Sequence, residues 1–364
     1  MSTIRWTQDH AIRTARWQTE SAVPPPRRIV LADDRMPAAT ARRLAARGTA
    51  ILWQGDFHNA RQLLRAMARR LDRAARPTTF HEYRGARHRR ALILSRLLVL
   101  LDHTHALTLR RAPDVRAACT EAYGPPRRTT AVPLRELLGV LGAHQWRRNG
   151  IHVPALDARI HPHFGVFAPT RGGYVDLVAR APLPPGGRTA FDLGTGTGVL
   201  AAVLARRGYR VTATDINPRA LTCARDTARL LGLTAAIHVT GPCLYPPGRA
   251  DLVVCNPPWL PGTPASTFER AVYDENGAML HDVLTGLRDH LEPGGEAWLV
   301  LSDLAERLGL RTRADLLTAI GAAGLTVLGE PRTAPRHPRA ADPTDPLHAA
   351  RAGEVISLWR LAFR

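Results

Sequence analysis

Two textures of apolar patterning meet near residue 150. Before it, hydrophobic positions recur at helical spacing. Within 59–71, Leu63, Leu64, Met67 and Leu71 share one face, while Arg61, Arg65, Arg69 and then Arg73 form a basic row at i, i+4 spacing. The stretch 87–101 is apolar nearly all round and reads as a buried helix. A Gly-, Pro- and Arg-rich break at 124–128 precedes one more helical pattern at 133–146. Residues 1–150 are therefore predicted to form a mostly helical domain, without internal repeat or motif.

Beyond residue 150, short apolar runs alternate with helical patterns. Strands are expected at 189–194, 209–215, 235–240, 251–255, 296–301, 325–328 and 354–363. Helices are expected at 198–207, 218–231, 277–291 and 313–323, and a Pro-rich loop covers 331–346. Pro218 stands at a helix's first position, where its missing N–H costs nothing. Strands alternating with helices of this length predict an α/β domain over 151–364, with a mostly parallel sheet covered on both faces. Such sheets bind ligands at the carboxyl ends of their strands.

Composition narrows the function. The 364 residues are 45% hydrophobic and 22% charged, enough chain for two globular domains. No run of 18 apolar residues occurs, Arg96 interrupting the nearest candidate, so no membrane span is expected. Without an apolar leader pattern at the start, a cytoplasmic location is expected. Cys119, Cys223, Cys243 and Cys255 form no C-x-x-C pair, which argues against a disulfide framework or zinc knuckle. All 50 basic residues are arginine, which excludes lysine Schiff-base and P-loop chemistry. The net charge of +19 is uneven: residues 1–150 hold 28 Arg against 11 acids, a net of +17, and 151–364 hold 22 against 20. That asymmetry fits either an acidic partner or a merely solvated basic face.

Two motifs carry chemistry. Asp192-Leu193-Gly194-Thr195-Gly196-Thr197-Gly198 ends one strand and opens a helix, with glycines that permit a tight turn and close ligand approach. The dinucleotide spacing G-x-G-x-x-G fails, because counting from Gly194 its third position is Val199. What stands is D-x-G-x-G-x-G with Asp215 at the end of the next strand, where a carboxylate suits ribose hydroxyls. The second motif, Asn256-Pro257-Pro258-Trp259, follows a buried strand. Its prolines strip amide donors and leave two acceptors, the Asn256 side-chain oxygen and the Pro257 carbonyl. An amide, guanidinium or exocyclic amine could donate into that pair, and Trp259 offers a flat face for stacking.

Together these residues resemble the class I S-adenosylmethionine-dependent methyltransferases. Within them they are similar to N-methyltransferases with an Asn-Pro-Pro-aromatic loop, such as release-factor glutamine and rRNA, tRNA or DNA base methyltransferases. The resemblance covers about 160–330 and implies a Rossmann-like seven-stranded sheet with S-adenosyl-L-methionine as cofactor. It places Gly194, Thr195, Gly196 and Gly198 at the cofactor's amino-acid end, with Asp192 at its ammonium or a structural water. Asp215, Ile216 and Asn217 fall at its ribose, and the segment 165–170, including Phe167 and Thr170, covers its other side. Asn256 borders both cofactor and acceptor; Asn256, Pro257, Pro258 and Trp259 form the catalytic loop. The family's acid or amide after the third strand, which binds the adenine amine, is missing from Thr240-Gly241-Pro242-Cys243-Leu244.

The acceptor is read as a planar nitrogen. The acids Glu269, Asp274 and Glu275, downstream of the loop, favour a small cationic or amino-acid-type substrate. The alternatives are a base in rRNA or tRNA, with phosphates held by the basic half, and a protein glutamine. His152, Asp157, His161 and His163 lack a matching acid or cysteine pair and read as a polar hinge, so no metal is expected.

Overall fold

The computed structural model describes residues 2–21, 23–74, 77–170, 172–264, 268–335 and 342–364. The chain forms two compact units, Met1–Gln145 and Trp146–Arg364.

The first unit is built on a sheet that the helical patterning did not predict. Its strands are β1 (Thr3–Gln8), β2 (Ala11–Trp17), β3 (Arg28–Ala32), β4 (Thr49–Trp53), β5 (Leu97–Leu101) and β6 (Thr130–Pro133), in the order β1-β2-β6-β5-β4-β3. Strands β3, β4 and β5 are parallel, and β6 runs antiparallel to β5. Helices α1 (Ala38–Ala46), α2 (Phe57–Ala74), α3 (Phe80–Leu94), α4 (Arg116–Tyr123) and α5 (Leu134–Asn149), whose last four residues belong to the second unit, account for more residues than the strands. The stretch 87–101, expected as one helix, divides at Ser95 and Arg96 into the end of α3 and the whole of β5. Alternation explains the burial. Ile51, Trp53, Leu97 and Val99 face the helices, while Ala50, Leu52 and Leu98 pack with Ile4, Trp6 and Trp17 on the other face.

The basic row lies outward, as its spacing predicts. Arg65, Arg69, Arg70 and Arg73 are exposed on α2, Arg43 on α1 with Arg47 at its C-terminal cap, and Arg87 and Arg89 on α3. The acids of this stretch do little to offset them. Asp56 is buried against Arg111, Asp72 pairs with Arg90, and Glu82 caps α3.

The second unit opens with a hairpin of β7 (Ile151–Val153) and β8 (Ala158–Ile160), then α6 (Gly173–Arg180). It continues as β9 (Thr189–Leu193), α7 (Val199–Arg206), β10 (Arg210–Thr214), α8 (Pro218–Leu230), β11 (Ile237–Thr240) and β12 (Ala250–Cys255). A small pair, β13 (Leu260–Pro261) and β14 (Tyr273–Asp274), precedes α9 (Ala278–His290) and the long β15 (Leu291–Ser302). The chain ends with α10 (Leu304–Arg307), α11 (Arg313–Ala322), β16 (Leu325–Gly329), β17 (Arg332–Thr333), α12 (His348–Ala352) and β18 (Ile356–Phe363). The main sheet runs β11-β10-β9-β12-β15-β18-β16, and β17 pairs with β18. The first five strands are parallel and β18 is antiparallel to both neighbours. This is the expected α/β domain with a Rossmann-like sheet, which has eight strands once β17 is counted, where seven were expected.

Both faces are covered. Leu252, Val254, Trp298 and Val300 point into the core under α6 and α7, and Val253, Cys255, Leu299 and Leu301 into the core under α9 and α11. Among the charged groups buried in this unit, Glu296, 6% exposed, accepts two hydrogen bonds from Arg360 (2.9 and 2.7 Å) and one from the Trp298 indole (2.8 Å). Truncating one partner of such a pair strands the other charge. Arg360→Leu is expected to cost about 3 kcal/mol in chemical denaturation. Arg360→Leu combined with Glu296→Leu recovers most of that loss; a single variant as stable as wild type contradicts the assignment.

Candidate cofactor and acceptor site

Sheet register brings the two motifs side by side. Leu193, the last residue of β9, pairs with Thr214 on β10 and with Cys255 on β12; Cys255 in turn pairs with Leu299. Gly194, Asp215 and Asn256 therefore leave three adjacent strands at one level, beside Val300 on β15. Strand order reverses at β9, where open α/β sheets form their ligand crevice.

The glycine turn is held by two carboxylates. Asp192, 1% exposed, accepts through Oδ2 from the Thr195 hydroxyl (2.6 Å) and the Ala201 amide (3.0 Å). Its Oδ1 has no protein partner among the described residues. Burial, reinforced by the Asp215 charge, raises its pKa to about 6. Asp215 accepts from the Gly196 amide (3.0 Å) through one oxygen and from the Asn217 amide (2.8 Å) through the other, and burial raises its pKa as well.

The three glycines serve different ends. A Cβ at Gly196 (φ 55°) would meet nothing nearer than the Gly194 oxygen at 4.0 Å, so the space before it is open. At Gly198 (φ 78°) a Cβ would lie 3.1 Å from the Ala224 Cα, so this glycine allows α7 and α8 to pack closely. Thr195 turns its hydroxyl inward to Asp192, and its amide donates to the Thr214 carbonyl. Asn217 caps α8 by accepting from the Arg219 amide and donates through Nδ2 to the Gly165 carbonyl (3.4 Å). That bond, with Val166 buried against Ala220 and Cys223, seats the start of the 165–170 segment on α8. Along it Phe167 is half-buried and Thr170 exposed. Ile216 is 62% exposed beside Asp215, an apolar surface suited to a purine face. The loop after β11 lies flush on this turn, since a Cβ at Gly241 would stand 2.9 Å from the Asp215 carbonyl. Open backbone at Gly196, paired carboxylates and an apolar lip fit an aminoacyl nucleoside.

The Asn-Pro-Pro-Trp loop holds a contact that the sequence did not announce. The Trp259 indole N–H donates to Asn256 Oδ1 (2.9 Å) and to the Val300 carbonyl (3.2 Å). Its ring packs against the cores on both faces of the sheet, so it is less open than the stacking platform expected. The downstream acids are also engaged. Asp274 is buried and accepts from the Met279 and Leu280 amides (3.0 and 3.1 Å), a carboxylate cap on α9. Glu275 accepts from the Thr263 hydroxyl (2.7 Å), and Glu269 sits in a 3-10 turn. Met279 went unnoticed in the sequence. A Cβ at Gly194 would be 3.0 Å from its Cε, so Met279 lies over the glycine turn. The upstream histidines have partners: His161 bonds the Arg147 carbonyl (2.6 Å), and His163 lies 3.0 Å from Asp226.

A family model, the methyltransferase small domain, matches residues 158–312. The release factor glutamine methyltransferase of Moorella thermoacetica is 31% identical over 54% of this chain and 70% of that protein. The chain belongs to the class I S-adenosylmethionine-dependent methyltransferases. Its cofactor is S-adenosyl-L-methionine. The methyltransferase is also 33% identical to the ribosomal protein L11 methyltransferase of Rhodopseudomonas palustris, over 43% of this chain and 58% of that one. A ribosomal RNA small subunit methyltransferase C from Alcanivorax borkumensis is 33% identical over 30% of the chain and 31% of its own length. Among solved structures, a ribosomal protein L11 methylase from Lactobacillus delbrueckii subsp. bulgaricus aligns with TM-score 0.36 and 20% identity, covering 52% of this chain and 77% of that one. Among the described residues no helix is long and apolar enough to cross a membrane.

Were Asp192 to hold the cofactor's ammonium, as the motif's resemblance implies, binding would depend on pH. The ionised carboxylate is the form that attracts the ammonium, and that form is lost as pH falls below about 6. The α-amino group itself stays protonated below about 7.7. S-adenosylmethionine affinity, measured by calorimetry, is therefore expected to rise from pH 5 to pH 7. Asp192→Asn should flatten the profile; an unchanged profile in the variant moves the ammonium elsewhere.

Proposed function

We propose that this methyltransferase methylates a planar nitrogen, the exocyclic amine of a base in RNA. The observation that carries the acceptor class is the set of exposed arginines along α1, α2 and α3, whose described acids are spent on Arg111, Arg90 and a helix cap. Phosphate contacts supply most sequence-independent affinity for nucleic acid, and a row of exposed arginines is their footprint. Trp6, Trp17, Trp53 and Phe57 are buried in that unit, so its part is backbone binding without stacking.

The chemistry rests on the loop after β12. S-adenosylmethionine supplies an activated methyl group when bound. The protein's task is then alignment of nitrogen, methyl carbon and sulfur. Asn256 Oδ1 and the Pro257 carbonyl accept the amine's two N–H groups, which turns its lone pair toward the cradle at Gly196. As the nitrogen becomes tetrahedral and gains positive charge, the same acceptors stabilise it. Asp192 and Asp215 hold the cofactor's ammonium and ribose.

Protein glutamine is the second reading, supported by the release-factor relative and by the fact that a carboxamide offers the same two N–H groups. The small-molecule reading is weakened by its own residues: Asp274 caps α9 and Glu275 holds Thr263.

The test incubates methyl-labelled S-adenosylmethionine and the full chain with extract from cells lacking the gene, then separates RNA, protein and small molecules. Label is expected in RNA; label confined to protein supports the glutamine reading, and label confined to small molecules overturns both. Asn256→Ala is expected to lower turnover 100- to 1000-fold, about 2.7–4 kcal/mol, with cofactor affinity kept. Arg65→Glu with Arg69→Glu should weaken RNA binding and flatten its salt dependence, which scales at about −0.7 in log K per phosphate for single strands. A salt slope equal to wild type removes these arginines from the interface.

A further inference from the structure

Resting on the catalytic assignment of Asn256, we infer that Trp259 is a positioning residue whose indole N–H sets which end of the Asn256 carboxamide faces the acceptor. A carboxamide has two ends of nearly equal size, one accepting and one donating. Only the accepting end can receive an N–H from the substrate nitrogen. Nothing in the shape of asparagine selects that end; a partner must. The indole N–H can donate and cannot accept. It lies 2.9 Å from Asn256 Oδ1, so the opposite orientation would set two donors against each other.

The Val300 carbonyl makes this choice stronger. It accepts from the same indole N–H at 3.2 Å. Val300 follows Leu299, which register pairs with Cys255, so this carbonyl is carried by the strand beside the loop. With a phenyl ring in place of the indole, the carbonyl loses this donor, and the Asn256 amide nitrogen becomes a candidate to replace it. The carboxamide then turns over and presents N–H groups toward the acceptor amine. The oxygen of Asn256 has two lone pairs, so the bond to Trp259 leaves one for the substrate. Packing of the indole against both cores holds the donor in place. A stacking role alone requires a flat ring; this role requires the ring nitrogen.

The test is a mutant cycle, with label transfer from S-adenosylmethionine to the RNA and protein fractions of that extract as the readout. Trp259→Phe keeps an aromatic ring and is expected to lower kcat about tenfold, with KM and cofactor affinity within twofold of wild type. In an Asn256→Asp background both ends of the side chain accept. There Trp259→Phe should change the residual rate by less than twofold. Equal losses in the two backgrounds overturn the proposal, as does full activity of Trp259→Phe. If Asn256→Ala leaves turnover intact, it is the catalytic assignment that falls. A second measurement needs no acceptor. In protein carrying 15N-tryptophan, Asn256→Ala should move one of the seven indole N–H resonances, the one absent from Trp259→Phe. No movement of that resonance overturns the contact.

Discussion

The carboxylate of Asp215 ties the active end of the sheet together. One oxygen holds the Gly196 amide and the other the Asn217 amide, so the turn after β9 and the start of α8 share one anchor. Asn217 then passes the constraint on, through Nδ2 to Gly165 and the segment that follows it. A buried carboxylate accepting backbone amides is costly unless those bonds are made, and Asp215 makes them while its pKa is pushed upward by burial. The arrangement pre-sets the crevice: open backbone at Gly196, an acid on either side and an apolar lip at Ile216.

Most of the second unit was legible because glycine or proline stands beside most strands and α7, α8, α9 and α11 are long enough to show their period; α10 and α12, of four and five residues, are not. The boundaries at Gly194, Pro218 and Pro257 fall where backbone chemistry demands them. The first unit was less legible for a physical reason. Thr49–Trp53 is buried throughout and Leu97–Leu101 nearly so, leaving no alternation to distinguish a strand from a buried helix. No glycine or proline marks the change at Ser95 and Arg96. A continuous apolar run of this kind reads as helix, and the pattern does not show the six-stranded sheet.

At the site, residue types were readable and directions were not. Asp192, Asp215 and Asn256 stand at the strand ends their motifs implied. Gly198 belongs to helix packing, Thr195 and Asn217 act within the protein's own scaffold, and Asp274 is a cap. Trp259 shows the limit most clearly. Its sequence position suggests an exposed ring, whereas the register of β12 and β15 draws the indole N–H to Val300 and Asn256. Which atom a side chain offers depends on the neighbouring strand, and strand neighbours are far apart in sequence.

We propose that Asp215, which joins the Gly196 and Asn217 amides, organises the cofactor crevice. Calorimetric titration of S-adenosylhomocysteine into the full chain and its Asp215→Ala variant tests this most directly. One-site binding to the wild type is expected, weakened at least tenfold in a variant that remains folded. Equal affinity in the two proteins, or no binding to either, would contradict it.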